Sequence, residues 1–204
     1  MALSKIQPAS MDLTANYAFT GTNSVVGIDY AEKKLSTLTA SSSGTLSFTS
    51  NIDSTYNIYK FRFINIHPSA HEELGFQGST DSGSNYNTQI TSSFFQASHT
   101  EGGSTGLSYL TNYDQANGTN FQRLNYSTYT DNDSNLCGEL FIFDPSSTTF
   151  VKHFIARTQE HFNNGSSDSY AAGYFNTTSA IDAVQFKMES GNIDSGTIEM
   201  YGIN

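Results

Sequence analysis

The chain contains no tryptophan, only three prolines and a single cysteine, Cys137, among its 204 residues. One cysteine cannot form an intrachain disulfide, so folding does not depend on an oxidising compartment. The apolar neighbours of Cys137 predict a small thiol that faces the core. Basic residues are also scarce: 9 Lys and Arg stand against 19 Asp and Glu, and the formal net charge is −10. Such an acidic surface repels phosphate groups, so we expect it to bind neither nucleic acid nor a membrane.

Long apolar runs are absent as well. No stretch approaches the roughly 18 consecutive apolar residues of a membrane span, and residues 1–8 lack the apolar region of a secretion signal. Asn-x-Ser/Thr triplets are glycosylated only on a secretory route. The five triplets of this chain are therefore interpreted as by-products of a chain rich in Ser, Thr and Asn. The sequence contains no zinc-ligand set, phosphate loop or dinucleotide fingerprint, and we expect no cofactor.

Aromatic residues and alternating patterns are abundant. The chain has 15 Phe and 12 Tyr, and much of the remainder is Gly, Ser, Thr and Asn. Aromatic residues and Thr fit pleated sheets, whereas Gly, Asn and Ser form turns. Apolar and polar residues alternate in about ten segments after residue 44, for example 58–66 and 136–143. The pattern predicts an all-β fold, an antiparallel jelly-roll-like β-sandwich over residues 44–204.

The alternation also predicts which side chains fill the core of the sandwich. Nine apolar residues in strand phase are expected to be buried: Phe61, Phe63, Leu140, Ile142, Phe154, Val184, Phe186, Ile198 and Met200. Segments 184–188 and 197–203 flank a turn-rich break and predict a β-hairpin. Residues 79–86 resemble an Asp-box, a motif of sialidases and other β-proteins, and we interpret them as a structural hairpin turn. Only residues 177–183 are expected to form a helical turn.

Residues 1–43 differ from the rest of the chain and predict an extended N-terminal arm. Their apolar residues are spread out without a steady period, so they cannot bury one another in one compact element. Burial against another chain is the simplest alternative. We therefore expect four of them to anchor the protein to a partner: Leu3, Ile6, Met11 and Leu13.

Three short motifs contain residue types that bind metals or transfer protons. His67 and His71 are four residues apart, yet Pro68 argues against the helix that would bring both rings to one ion. Residues 131–135 begin like a calcium loop but lack the glycine and the closing glutamate of an EF-hand. Glu139 has no second carboxylate marked as its partner. These patterns favour exposed loops over metal sites, leave a looser surface calcium site open, and predict no enzyme activity.

The loop at residues 126–135 places Tyr126 and Tyr129 beside small polar residues. Tyrosine offers a broad contact area at low entropy cost, and Ser and Asn add hydrogen bonds. The loop is therefore a candidate recognition loop in which both tyrosines are exposed. An ordinary sandwich loop is the alternative interpretation.

Six segments at the two ends of the chain carry a resemblance to known proteins: 1–13, 17–22, 150–157, 180–186, 190–193 and 196–203. They resemble segments of virion proteins of tailed phages, in particular marine phages. The start resembles a leader that precedes different modules in those proteins, and the end resembles the closing module of small tail-fibre, head-fibre and decoration proteins. The resemblance implies a jelly-roll-like sandwich, often trimeric, on the outer surface of a virion assembled in the host cytoplasm. It transfers no catalytic residue.

The resemblance and the arm together predict a virion-surface structural protein of the tail-fibre or adhesin kind. Its arm is expected to dock on another virion protein, either a tail or portal adaptor or the capsid, while the sandwich contacts a host glycan or protein. Capsid decoration and a stand-alone carbohydrate-binding module are the alternatives. The aromatic content and the low charge further predict a homotrimer.

Overall fold

The structure is a computed structural model and describes residues 32–204. This part of the chain consists of strands, turns and irregular segments without a helix. The twelve strands are β1 (Lys33–Thr39), β2 (Leu46–Phe48), β3 (Ile58–Pro68), β4 (Leu74–Ser79), β5 (Ile90–Thr100), β6 (Thr105–Tyr109), β7 (Gln122–Arg123), β8 (Leu136–Phe143), β9 (Lys152–Phe162), β10 (Gly165–Phe175), β11 (Ala183–Met188) and β12 (Ile193–Ile203). Over residues 32–204, no helix has the length and apolar character needed to cross a membrane. The prediction of an all-β fold is confirmed.

The strands form two antiparallel sheets. The large sheet has eight strands in the order β1-β12-β3-β8-β9-β10-β5-β6, and the small sheet has four in the order β2-β11-β4-β7. The chain crosses repeatedly between the sheets, an arrangement consistent with a β-sandwich. Residues 33–39, which the sequence prediction assigned to the arm, form edge strand β1 and pair with β12.

Aromatic side chains from both sheets fill the space between them. Phe186 of β11 contacts Phe61 and Phe63 of β3, with ring centroids 5.3 and 5.4 Å apart. Phe76 of β4 meets Phe154 of β9 at 5.0 Å. Tilted and edge-to-face contacts at these distances are favourable ring geometries. All nine residues predicted to be buried are at most 1% exposed, so the alternation identified the core correctly.

The hairpin predicted for the last two strands is wrong. β11 pairs with β2 and β4 in the small sheet, whereas β12 pairs with β1 and β3 in the large sheet. Residues 189–192 therefore cross from one sheet to the other. Gly191 has a φ of +74°, and a Cβ there would lie 2.8 Å from Ser69 Oγ. Alternation indicates which side chains face the core, but it does not identify the neighbouring strand.

The Asp-box-like segment forms a turn, but the turn does not close a hairpin. Ser79 Oγ accepts a hydrogen bond from the Gly83 amide at 3.0 Å, and Asp81 Oδ1 accepts one from the Asn85 amide at 2.8 Å. Side-chain hydrogen bonds, first from Asn85 and then from Ser79, lower the pKa of Asp81 to about 2. The segment leads from β4 in the small sheet to β5 in the large sheet, so only the turn was predicted correctly.

The helical turn expected at residues 177–183 is also wrong. The Ile181 amide donates to the Pro145 carbonyl at 2.8 Å, and the Asp182 amide donates to the Ser79 carbonyl at 2.9 Å. These amides bond to distant segments, and Ala183 already begins β11. A short segment with helical propensity lacks the local hydrogen bonds of a helix when tertiary partners take its amides.

Candidate functional site on the outer face of the large sheet

One row of side chains crosses the outer face of the large sheet from edge to edge. The strand register pairs its members in the order Thr37, Glu199, Arg62, Glu139, Arg157, Tyr170, Phe95 and Tyr109. Their neighbours along the strands, such as Phe61 and Phe63 beside Arg62, face the core, so the row faces away from it. We call this set the transverse row. Acidic and basic residues alternate through its middle, and aromatic residues form its β6 end.

The β12 part of the transverse row is held by hydrogen bonds and ion pairs. Glu199 accepts hydrogen bonds from the Tyr201 hydroxyl at 2.6 Å and from the Lys34 ammonium at 3.2 Å. Arg62 lies 3.8 Å from the Glu199 carboxylate, and its guanidinium stands 4.9 Å from the centroid of the Tyr201 ring. The Tyr201 hydrogen bond is the largest cause of the lowered pKa of Glu199. The charges in this part of the row are therefore already paired.

A guanidinium and two aromatic rings stack beyond the centre of the row. Arg157 donates two hydrogen bonds to Asp168, at 3.0 and 2.7 Å, and its guanidinium lies 5.2 Å from the Tyr170 ring centroid. Tyr170 stacks on Phe95 with centroids 4.8 Å apart and planes within 6°. The Tyr170 hydroxyl donates to Asp168 at 3.0 Å. We call these three stacked groups the Arg157 stack; side chains held in this way lose little rotamer freedom on binding a ligand.

The electrostatics beside the Arg157 stack keep the Asp168 carboxyl ionised. The hydrogen bonds from Arg157 are the largest cause of the lowered pKa of Asp168. The hydrogen bond to Asp168 in turn raises the pKa of Tyr170, which keeps its hydroxyl a donor. The stack therefore has one stable charge state across the neutral pH range.

A shallow depression of about 380 Å³ lies beside the Arg157 stack. Its lining includes donors and acceptors from four strands: Arg62, Glu139, Arg157, Gln159 and Asp168. Gly138 also lines it, and a Cβ there would lie only 2.4 Å from the Arg157 carbonyl oxygen. The close approach of β8 and β9 at this point therefore requires glycine. Both charge signs are present, so the depression suits a neutral polar ligand or a polar protein surface better than a single ion.

Cys137 also lines this depression and does not face the core. Its side chain is half-buried, and its Sγ accepts a hydrogen bond from the Asn65 amide at 3.3 Å. Leu136 and Leu140 take the inward positions of β8, because residues two or four apart share a face of a strand. The prediction of a core-facing thiol was therefore wrong, because Cys137 lies one residue out of phase with the inward-facing residues of β8.

The predicted recognition loop does not contribute to the transverse row, and its tyrosines are only partly exposed. Tyr126 and Tyr129 are half-buried. The Tyr126 ring stacks on Tyr113 with centroids 5.8 Å apart, and the Tyr129 ring lies 3.7 Å from that of His71. The prediction that both tyrosines are exposed holds only in part, because neighbouring rings cover part of each. A role in recognition stays a prediction.

A buried carboxylate holds this loop on the sandwich. Glu160 of β9 is 1% exposed. Its Oε1 accepts hydrogen bonds from the amides of Tyr126 and Ser127, both at 3.0 Å. Its Oε2 accepts hydrogen bonds from Asn125 and Thr128. Burial raises the pKa of Glu160, and these hydrogen bonds offset part of the rise.

The motifs with metal-binding residue types do not assemble into one site. Residues 32–204 contain no group of three or more His, Cys, Asp and Glu side chains placed to hold a metal ion. His67 Nε2 lies 3.2 Å from the Asp131 carbonyl oxygen, whereas His71 Nε2 contacts Ser127 Oγ. The two histidines therefore meet different parts of the loop that precedes β8.

The four predicted anchoring residues, Leu3, Ile6, Met11 and Leu13, lie outside the described residues and stay a prediction. Glu139 is the one member of the transverse row that the sequence marks as a candidate, because the other members become neighbours only through strand pairing.

Comparison of the whole chain with known proteins assigns it to no family. No protein-family model, no curated protein and no solved structure matches it.

Proposed function

We propose that this protein is a structural protein of the outer surface of a phage virion, of the tail-fibre or adhesin kind. Its N-terminal arm docks on the particle, and its jelly-roll-like sandwich projects outward and contacts the host. The resemblance of both chain ends to phage virion proteins supports the virion assignment. The transverse row is the single observation that carries the contact role, since it offers a fixed polar and aromatic surface across one sheet face.

Two carboxyl groups with shifted pKa values, those of Asp168 and Glu160, support recognition over catalysis. A general acid needs a raised pKa, whereas the pKa of Asp168 is lowered by Arg157. Glu160 has a raised pKa, but it is 1% exposed and bonded to the loop that covers it. Neither carboxyl is suited to exchange protons with a bound substrate, and we propose no enzyme activity.

The contact role is tested with Arg157→Ala in the parent phage. This change removes the guanidinium that orders Asp168 and Tyr170, so we expect adsorption to host cells to fall about tenfold, a loss of about 1.4 kcal/mol. Arg123→Ala is a matched control, because Arg123 lies 4.7 Å from the Tyr113 ring and 3.8 Å from Glu73 but belongs to the small sheet. Equal adsorption of wild-type and Arg157→Ala phage would contradict a host-contact role of this face.

The docking role is tested by deleting residues 1–20. The described sandwich begins after this segment, so we expect the shortened protein to fold and to keep its melting temperature. We expect it to be missing from purified particles, because the anchoring residues are gone. Normal incorporation of the shortened protein would show that the arm does not anchor it.

Two alternatives make different predictions for the same variants. Capsid decoration predicts that Arg157→Ala leaves adsorption unchanged and that the arm docks on the capsid lattice. A carbohydrate-binding module is favoured by the stack of Tyr170 on Phe95, which is 41% exposed, and by Tyr109, which is 55% exposed. That alternative predicts that the full chain binds an immobilised polysaccharide and that Tyr170→Ala abolishes the binding.

A further inference from the structure

The large sheet ends in strand β6, in which all five residues are exposed. Leu107, at its centre, is 77% exposed, and Tyr109 is 55% exposed. Soluble proteins protect a sheet edge with charged residues, proline or a bulge, because its unpaired backbone groups bind other strands. The sequence of β6, TGLSY, contains neither charge nor proline, and its register with β5 is unbroken.

Hydrogen bonds at the two ends of β6 identify the backbone groups that point outward. The Leu110 amide donates to the Phe94 carbonyl at 3.0 Å, and the Thr100 amide donates to the Ser104 carbonyl at 2.8 Å. Bonded pairs alternate along an antiparallel ladder. The even-numbered residues of β6 therefore bond to β5, while Thr105, Leu107 and Tyr109 direct their N–H and C=O groups away from the sheet.

The rest of this sheet border is covered by the chain itself. The Ser92 amide donates to the Gln115 carbonyl at 2.9 Å, and the Ile90 amide donates to the Gly118 carbonyl at 2.7 Å. The segment that follows β6 thus lies against the remainder of β5. The uncovered edge has the length of one five-residue strand.

The other sheet edges over residues 32–204 are protected. The opposite edge of the large sheet, β1, begins with Lys33 and Lys34. The edges of the small sheet are β2, with three residues, and β7, with two. Charge and short length are two ways in which proteins prevent pairing at an edge. Among the described residues, β6 is the edge that lacks such protection.

We propose that β6 pairs antiparallel with β6 of a second copy of this chain, about a two-fold axis through Leu107. The two Leu107 residues then face each other, and Thr105 faces Tyr109 on both sides of the axis. The outward groups of these residues form about six backbone hydrogen bonds, two for each bonded pair. Two eight-stranded sheets join into one continuous sheet.

A second copy fits this edge because the pairing is self-complementary and uncharged. The chain has a formal net charge of −10, so most pairs of surface patches on two copies repel each other. β6 brings no charged side chain to the axis. Its apolar side chains lie beside Phe95, which pairs with Tyr109 in the register, and they extend the apolar part of the transverse row to the interface.

The mass of the full-length protein in solution tests the proposal. Multi-angle light scattering measures this mass from about 1 to 100 μM, a concentration range in which weak pairs form. We expect a mass that approaches twice the 22.3 kDa chain mass as concentration rises. Leu107→Lys places two like charges at the axis, and we expect it to weaken pairing by at least about tenfold. Ile155→Lys is the matched control, because Ile155 is 53% exposed on the same face but lies in the interior strand β9.

A second variant isolates the backbone contribution. Leu107→Pro removes an amide that points outward, so it should abolish pairing while β6 keeps its bonds to β5. Equal melting temperatures of the variants at low concentration confirm that the fold is intact. A monomer at 100 μM, a trimer, or a dimer that persists in Leu107→Lys would overturn the proposal, and none of these results bears on host adsorption.

Discussion

Glu160 is the residue whose environment differs most from that of an ordinary acidic side chain. It is in strand phase with the core residues Phe154 and Ala156 of β9, so alternation alone places it inside. Four hydrogen bonds from residues 125–128 replace the water that its carboxylate loses on burial. Without this carboxylate, the Tyr126 and Ser127 amides and one N–H of the Asn125 side chain would lose their acceptor, while the other N–H of Asn125 keeps its bond to Thr128.

Replacing Glu160 by Ala should therefore destabilise the protein strongly. We expect the free energy of unfolding to fall by about 2–4 kcal/mol, since each buried donor without a partner costs about 1–3 kcal/mol and removal of the buried charge offsets part of that. Urea unfolding at neutral pH measures the change. Glu101→Ala, at an exposed turn position, serves as the control and should change stability by less than about 0.5 kcal/mol. A similar effect of both variants would contradict the role of Glu160 in holding the loop.

The raised pKa of Glu160 also predicts a pH dependence. Because burial raises the pKa in the folded state, the native protein binds this proton more tightly than the unfolded chain does. The stabilisation that comes from this tighter proton binding is complete below the ordinary carboxyl pKa of about 4.3. It is lost as pH rises through the pKa of Glu160 in the folded state. We expect the free energy of unfolding of wild type to fall relative to that of Glu160→Gln as pH rises from about 4.3 through the folded-state pKa. Urea unfolding at several pH values measures this change. A difference that does not vary with pH would contradict the shift.

Phe186 has the most extensive set of ring contacts in the core. It touches Phe48, Phe61, Phe63 and Phe76, so it joins strands of both sheets. We expect Phe186→Ala to lower the free energy of unfolding by about 3–5 kcal/mol through lost burial and a cavity. Chemical denaturation measures it, with Ile155→Ala on the exposed face as the control. A loss below about 1 kcal/mol would mean that the core closes around the gap.

At the scale of elements, the crossing between β11 and β12 is the most informative connection. Its four residues, 189–192, lead from the small sheet to the large one. Packed sheets are about 10 Å apart, so the crossing needs its full length. The turn between β9 and β10 is different, because those strands pair directly and only residues 163–164 separate them.

Exchanging turns should distinguish the two connections. The first variant replaces residues 189–192 by Asn-Gly, a two-residue hairpin turn. A direct hairpin of β11 and β12 would tolerate this turn, but the two strands lie in different sheets, so we expect the change to prevent folding. We expect loss of the cooperative thermal transition, followed by circular dichroism. Asn163→Gly in the turn between β9 and β10 is the control; Asn163 has a φ of +47°, which glycine adopts easily, so the transition should remain. A stable protein with the shortened crossing would imply that β11 and β12 pair directly.

At the scale of the whole molecule, charge and sheet edges act against each other. A formal net charge of −10 makes copies of the chain repel, while the unprotected edge at β6 favours pairing. Salt screens the repulsion, because the Debye length falls from about 30 Å at 0.01 M to about 8 Å at 0.15 M. Backbone hydrogen bonds between strands are less sensitive to salt.

We therefore expect the dimer fraction to rise with salt at constant protein concentration. Sedimentation velocity of the full-length protein at about 10 mM and 150 mM NaCl measures this, since these concentrations span the change in screening length. Leu107→Lys should remain monomeric at both concentrations. A dimer that dissociates as salt rises would indicate that ion pairs, rather than β6, hold the copies together. The homotrimer predicted from composition requires three times the chain mass, so the same measurement separates the two assemblies.

Sequence alone determined the all-β class, the core residues and the turn at residues 79–86. Phe61, Phe186 and Met200 are buried as their alternation predicts, because a strand repeats every two residues and the period is visible within a few positions. The turn at Ser79–Tyr86 could also be predicted, because Asp81 and Gly83 form hydrogen bonds with residues two to four positions away in the chain. All of these are local properties of the chain.

Tertiary structure alone decided which strands are neighbours. The transverse row joins Glu199 to Arg62 and Arg157 to Tyr170 across strand pairs that no local pattern identifies. The separation of β11 from β12 and the partial burial of Tyr126 follow from the same cause. Pairing depends on which elements meet when the sheets close around a shared core. A period of two residues specifies the face of a side chain but not the strand beside it.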